Sequence, residues 1–162
     1  MSRLYLMAHT TRRAWLAGTA VLALASSTMI AYAAPATLQV WKDPNCGCCK
    51  DWIAHLEKNG FATTVIEQGN SAARARLGMP QKFGSCHTAL VQGYVIEGHV
   101  PVADIQRLLK EKPKALGLSV PGMPIGSPGM DGPAYGGRRD AYQVLLIQRD
   151  GSNTVFNTYP RG

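Results

Sequence analysis

Hydrophobic and polar positions alternate over residues 37–42, Thr-Leu-Gln-Val-Trp-Lys, and the side chains are strand formers, so the pattern predicts a first strand. Asp43-Pro44-Asn45 then turns the chain. From Cys48 or Cys49 the period becomes that of an amphipathic helix reaching about Lys58, with Ile53 and Leu56 on its apolar face and Gly60 as the stop. Residues 61–67 are predicted as a second strand and 71–77 as a short helix ended by Gly78-Met79-Pro80. Residues 88–91 and 94–97 flank Gln92-Gly93, a pair that suits a tight hairpin turn. Pro101, at a first helical position, opens a helix through Lys110 with Ile105, Leu108 and Leu109 inward, and Lys112-Pro113 closes it.

Residues 113–137 break this regularity. Pro and Gly recur, and Pro121-Gly-Met-Pro-Ile-Gly-Ser-Pro-Gly-Met130 has no usable period; so long an irregular segment inside a compact domain is usually functional or disordered. A last hairpin is predicted from 142–149 and 154–159 across Asp150-Gly151-Ser152. The order strand, helix, strand, helix, strand, strand, helix predicts an α/β fold of the thioredoxin-like kind. It would be a mixed sheet with flanking helices, a long Gly/Pro/Met loop and an added C-terminal hairpin. This layout sets residues 46–49 just beyond the first strand, at a helix N-terminus.

The first 33 residues read as an address. Arg3, Arg12 and Arg13 stand there without an acid, an Ala-rich apolar run follows from Ala14, and Ala31-Tyr32-Ala33 supplies small residues for cleavage after Ala33. Gly18, Thr19, Ser26, Ser27 and Thr28 dilute the run too much for a good membrane anchor. Thr11-Arg-Arg-Ala-Trp15-Leu16 is similar to a twin-arginine export signal, the alternative being an ordinary Sec signal. Either route implies a bacterial periplasm or exterior. The remaining residues, 34–162, have the length of one domain with its own core and no need of membrane attachment.

Charge narrows the partners. The formal surplus is +7, and three of the seventeen basic residues belong to the leader; no Lys/Arg cluster interleaved with aromatics remains, which speaks against nucleic acid.

The chemistry is concentrated in Cys46-Gly47-Cys48-Cys49, with Cys86 as the fourth cysteine. One reading is a redox pair, Cys46 and Cys49 in a formal C-x-x-C before a helix, acting as a thiol-disulfide oxidoreductase; the extra thiol of Cys48 would interfere with a clean two-sulfur switch. A second is a structural staple, for which a Cys46–Cys49 bond closes too small a loop to constrain the unfolded chain much. Metal binding uses all four sulfurs, since the predicted layout brings the start of the third strand beside the first helix. A structural zinc domain is one version. Yet three thiols crowd one short loop, a crowding that bridging sulfurs holding more than one ion would relieve, and Met123 and Met130 add soft thioethers, which favours Cu(I) over zinc. The helix N-terminus and Lys50 are expected to lower the thiol pKa values. His87 and His99 are further candidate ligands. His55 lies about 10 Å along the helix from Cys48, too far to share its metal, and Trp41 and Trp52 are expected in the core or pocket wall.

Together Cys46-Gly-Cys-Cys-Lys-Asp-Trp52, His55-Leu56, Ser85-Cys86-His87-Thr88, Glu97-Gly98-His99-Val100-Pro101 and the segment from Pro121 to Met130 resemble the DUF411 family of periplasmic metal-binding proteins, which includes a copper-resistance protein. The resemblance implies a thioredoxin-like, copper-binding domain with Cys46, Cys48, Cys49 and Cys86 as ligands. It also implies work alongside periplasmic copper-efflux or copper-oxidase proteins, by sequestration, transfer or Cu(I)/Cu(II) conversion.

Overall fold

In a computed structural model, which describes residues 34–162, the first strand β1 (Thr37–Lys42) has its inward side chains in the core: Leu38 and Val40 are fully buried while Thr37 and Gln39 face out. The helix α1 (Gly47–Lys58) follows, then β2 (Ala62–Ile66), which returns parallel to β1. Cys49, Trp52, Ile53 and Leu56 recur at helical spacing and form the buried stripe of α1. The chain then runs through α2 (Ser71–Arg76) and a 3₁₀ turn to β3 (His87–Val91), antiparallel to β1. β4 (Tyr94–Glu97) pairs back on β3 across Gln92-Gly93, both with positive φ, as a two-residue hairpin requires.

Next comes α3 (Val102–Glu111), whose Val102, Ile105 and Leu108 are buried. Pro101, which the sequence suggested as the first helical residue, is instead its N-cap in extended conformation, and the helix starts one position later.

The segment after α3 holds a strand that the sequence pattern did not announce. β5 (Gly117–Ser119) lies parallel to β4 and antiparallel to β6 (Tyr142–Ile147), which pairs with β7 (Asn153–Tyr159). The C-terminal hairpin is therefore continuous with the main sheet, in the order β2-β1-β3-β4-β5-β6-β7. Gly117 is needed in this strand: a Cβ there would stand 1.8 Å from the Val95 carbonyl oxygen.

Leu38, Val40, Trp52, Leu56, Ala89, Ile96, Ile105, Leu108, Leu118 and Val144 form one continuous core between sheet and helices. The expected leader and its cleavage point at Ala33 lie outside the described residues. Among the described residues no helix is long and apolar enough to cross a membrane.

Candidate metal centre

Strand directions decide where the chemistry gathers. β1 ends at Lys42, opposite His87 at the start of β3, and Thr88 stands opposite Glu97 at the end of β4. Residues that follow β1, precede β3 or follow β4 therefore share one end of the sheet. They are the 46–49 motif, Cys86 and His99.

The four cysteine sulfurs lie within 4.8 Å of one another. Cys46 is the N-cap of α1, Cys48 and Cys49 occupy its first turn, and Cys86 arrives from the loop before β3. Cys46 and Cys49 are joined in a disulfide, while Cys48 and Cys86 are free and half-buried. Cys48 Sγ is 3.6 Å from Cys46 Sγ. Cys49 is fully buried, its sulfur 3.7 Å from the Cys86 carbonyl oxygen, to which it can donate only when reduced.

A second grouping shares Cys86, whose sulfur lies 3.3 Å from His87 Nδ1 and 3.1 Å from His99 Nε2. In a regular strand, neighbouring side chains face opposite sides of the sheet. β3 begins only at His87, so Cys86 precedes the regular pleat and both side chains reach one place. His99 is buried as well, because Gly98, with φ of 72°, folds the chain back after β4. Its Nδ1 is 2.8 Å from the Pro128 carbonyl oxygen, which can only accept, so Nδ1 carries the proton and the Nε2 lone pair faces Cys86. His87 packs against Trp52, with ring centroids 4.2 Å apart, and its buried Nε2 has no partner.

Burial governs the titration of this pocket. The Cys86 thiol is pushed up to about 12, first by desolvation and then by the charge of Cys48 beside it. The expectation of lowered thiol pKa values thus fails at Cys86, which lies beyond the helix terminus. Burial also drives His87 well below its ordinary value, helped by His99, and lowers His99 against the pull of the Pro128 carbonyl. Both rings are neutral nitrogen donors at neutral pH.

The Gly/Pro segment closes over this end. Its Gly122 carbonyl accepts the Ser85 hydroxyl proton, and Gly129, at φ of 82°, presses on α1 so closely that a Cβ would stand 2.6 Å from the Cys48 carbonyl oxygen. Met130 is buried, and its thioether accepts a hydrogen bond from the Tyr135 hydroxyl at 3.2 Å. Met123 is 52% exposed, one residue past the Gly122 anchor. His55 is half-buried on α1 and lines a separate cavity with Asn59 and Tyr142. Trp41 lies under the Arg76 guanidinium, 5.3 Å from its ring centre. A larger cavity, of about 820 Å³, lies at the opposite end of the sheet between Tyr94, Lys112 and Arg149 and holds none of the sulfur chemistry.

The family model DUF411, described as a protein of unknown function, matches residues 83–130, which include Cys86, His87, His99, Met123 and Met130. Two solved structures of a copper resistance protein, copG, Form 1 and Form 2, superpose with a TM-score of 0.72; they share 50% and 51% identity with this chain, covering 78% of it and 98% and 99% of themselves. The chain belongs to the DUF411 family of CopG-like copper-resistance proteins. No curated protein matches it. For this DUF411 chain, sequence reasoning overlooked Arg74, buried in α2 and ion-paired with Glu97 at 2.8 Å behind the Cys86 loop. An arginine in a short polar helix carries no local signal of burial; its partner is distant in sequence.

Proposed function

We propose that this protein binds copper as Cu(I) in the periplasm, through Cys46, Cys48, Cys49 and Cys86, in the service of copper resistance. The observation that carries the reading is the convergence of four sulfurs from two distant segments within 4.8 Å. The names of the related structures support copper as the metal. The donor set fits it: soft sulfur dominates, two neutral imidazoles stand at its edge, and the buried His87 Nε2 is unpartnered. Zinc is the lesser candidate, because three of the four sulfurs crowd one turn and a single tetrahedral ion draws its ligands from separate arms. The order β2-β1-β3-β4, with α1 and α3 following β1 and β4, supports a thioredoxin-like core. Export rests on the leader-like residues 1–33.

With Cys46 and Cys49 oxidised, only Cys48 and Cys86 can become thiolates. Reduction by a dithiol returns two further thiols, and each that takes a metal surrenders its proton, so binding strengthens with rising pH. His99 aims its lone pair at Cys86 and accepts from that thiol. Met123, exposed at the rim, and Met130 are the thioethers that would close the site. Copper held by these sulfurs with His87 or His99 would supply a Cu(I)/Cu(II) couple to an external one-electron donor or acceptor, so an oxidoreductase role and hand-over to efflux or oxidase proteins belong to this proposal. Metal analysis of protein purified from the periplasm tests it: copper in amounts comparable with the protein is expected, and zinc or no metal would overturn it.

The Cys46–Cys49 disulfide favours one second reading, a thiol-disulfide oxidoreductase in which external thiols exchange with that bond. Metal-free protein would then catalyse reduction of insulin disulfides by a dithiol. Failure to do so removes this reading and leaves the first intact.

A further inference from the structure

Behind the site, Arg74 and Glu97 form an ion pair that is 5% and 0% exposed, respectively. Such a pair contributes little net stability over an apolar pair of similar size, so its directional bonds are the better guide to its role. Two of the four that leave the pair end on one residue, Ser85. Glu97 Oε1 accepts the Ser85 N–H at 2.7 Å as well as Arg74 Nε at 2.8 Å. Arg74 Nη2 donates to the Ser85 carbonyl at 2.5 Å, and Asn70 Nδ2 donates to the same oxygen at 3.1 Å. The remaining Glu97 oxygen accepts the Thr88 hydroxyl at 2.6 Å, and Arg74 Nη1 is taken up by Gln81 at 3.1 Å.

Both peptide groups of Ser85 are thus fixed, and the second of them is the peptide that carries Cys86. Two glycines make room for the arrangement. A Cβ at Gly84 would lie 3.0 Å from the Arg74 guanidinium carbon, and one at Gly98 would lie 2.6 Å from the Ser85 side chain. No element of regular structure holds Cys86, which lies between a 3₁₀ turn and β3. The hydrogen bonds to Ser85 take that part.

We propose that Arg74 and Glu97 are positioning residues that hold Cys86 against the 46–49 sulfurs, so that the ion pair governs the completeness of the sulfur cluster. This rests on the reading that Cys86 is part of the metal site. The pair never touches a sulfur; it acts through the Ser85 backbone, where an Arg fork reaches both the carboxylate and the carbonyl and a Lys does not.

The test uses the whole protein, reduced and kept anaerobic, as wild type, Arg74→Lys and the apolar double variant Arg74→Met/Glu97→Leu. Cu(I) affinity is read by competition with a chelator, and Cys86 and Cys48 alkylation by iodoacetamide is followed by peptide mass in the metal-free state. Both variants are expected to bind Cu(I) more weakly by about 10- to 100-fold, the range for outer-sphere supports of a metal site. Cys86 alone should alkylate faster, with Cys48 unchanged, in a population that still melts cooperatively. Unchanged affinity and unchanged Cys86 reactivity in folded Arg74→Lys would overturn the inference. Equal acceleration at both cysteines would do the same, because it marks general loosening. If the double variant does not fold, Arg74→Lys decides alone. If wild type takes up no Cu(I), the metal reading fails, and the alkylation rates still decide whether the pair positions Cys86.

Discussion

Cys86 Sγ and His99 Nε2 stand 3.1 Å apart, and the carbonyl of Pro128 fixes which nitrogen of the ring faces the sulfur. The imidazole joins the Gly/Pro segment to the cysteine cluster through two hydrogen bonds. His99→Phe keeps most of the ring volume and removes both. The unpaired Pro128 carbonyl should cost about 1–3 kcal/mol of stability, measurable as a lower urea midpoint. Cu(I) affinity should fall by about 10- to 100-fold in chelator competition. Full affinity in this variant would take His99 out of the site.

The buried histidines give the metal-free protein an acid limb. His87 has an ordinary value of 6.5 and titrates well below it when folded, so below that pH the unfolded chain binds a proton that the folded chain refuses. Stability therefore falls as pH drops through and below 6.5, by up to about 1.4 kcal/mol per pH unit for one such group. Cys86 acts with the opposite sign. Its thiol moves from 9.0 up to about 12 on folding, so its contribution is complete below 9.0 and is lost as pH rises from there toward 12. Urea midpoints should form a plateau between these limits, with the acid limb reduced in His87→Phe.

The disulfide divides the thiols into two classes. Protein kept oxidised should show two reactive thiols, Cys48 and Cys86, and denatured, reduced protein all four. Alkylation and intact mass check this directly. The Cu(I) capacity of the oxidised form should be lower than that of the reduced form; equal capacities would mean that Cys46 and Cys49 contribute no ligand.

Gly129 is expected to be intolerant of any side chain. Alanine there meets a left-handed backbone costing about 1–2 kcal/mol, and its Cβ would lie 2.6 Å from the Cys48 carbonyl oxygen and 2.8 Å from the Trp52 nitrogen. Gly129→Ala should lower the melting temperature and weaken copper retention together, because the displaced segment also carries Pro128. A control at Gly132, where a Cβ meets nothing within 4 Å, should change neither.

These relationships were unequally legible in the sequence. The stripe of Trp52, Ile53 and Leu56 and the Gln92-Gly93 turn are local signals, and the predicted elements match the observed ones within a residue or two through α3. The three-residue strand β5 had no such signal. Its pattern is only Gly-Leu-Ser between prolines, and its hydrogen bonds depend on β4 and β6, the latter more than twenty residues away. The sulfur cluster was readable because three thiols are adjacent in sequence and strand order carries the fourth to them. Burial of His99 and Arg74 was not, since each depends on a distant partner, Pro128 and Glu97, that no period of the chain links to it.

The account stands or falls most directly on an anaerobic Cu(I) titration of the fully reduced protein, followed by bound copper per chain and ultraviolet thiolate-to-copper absorption. Saturation at or above one ion per chain is predicted, with a clear loss of capacity and absorption in Cys86→Ser. Saturation below one ion, or the same capacity in Cys86→Ser as in wild type, would contradict a copper site built from sulfurs of both segments.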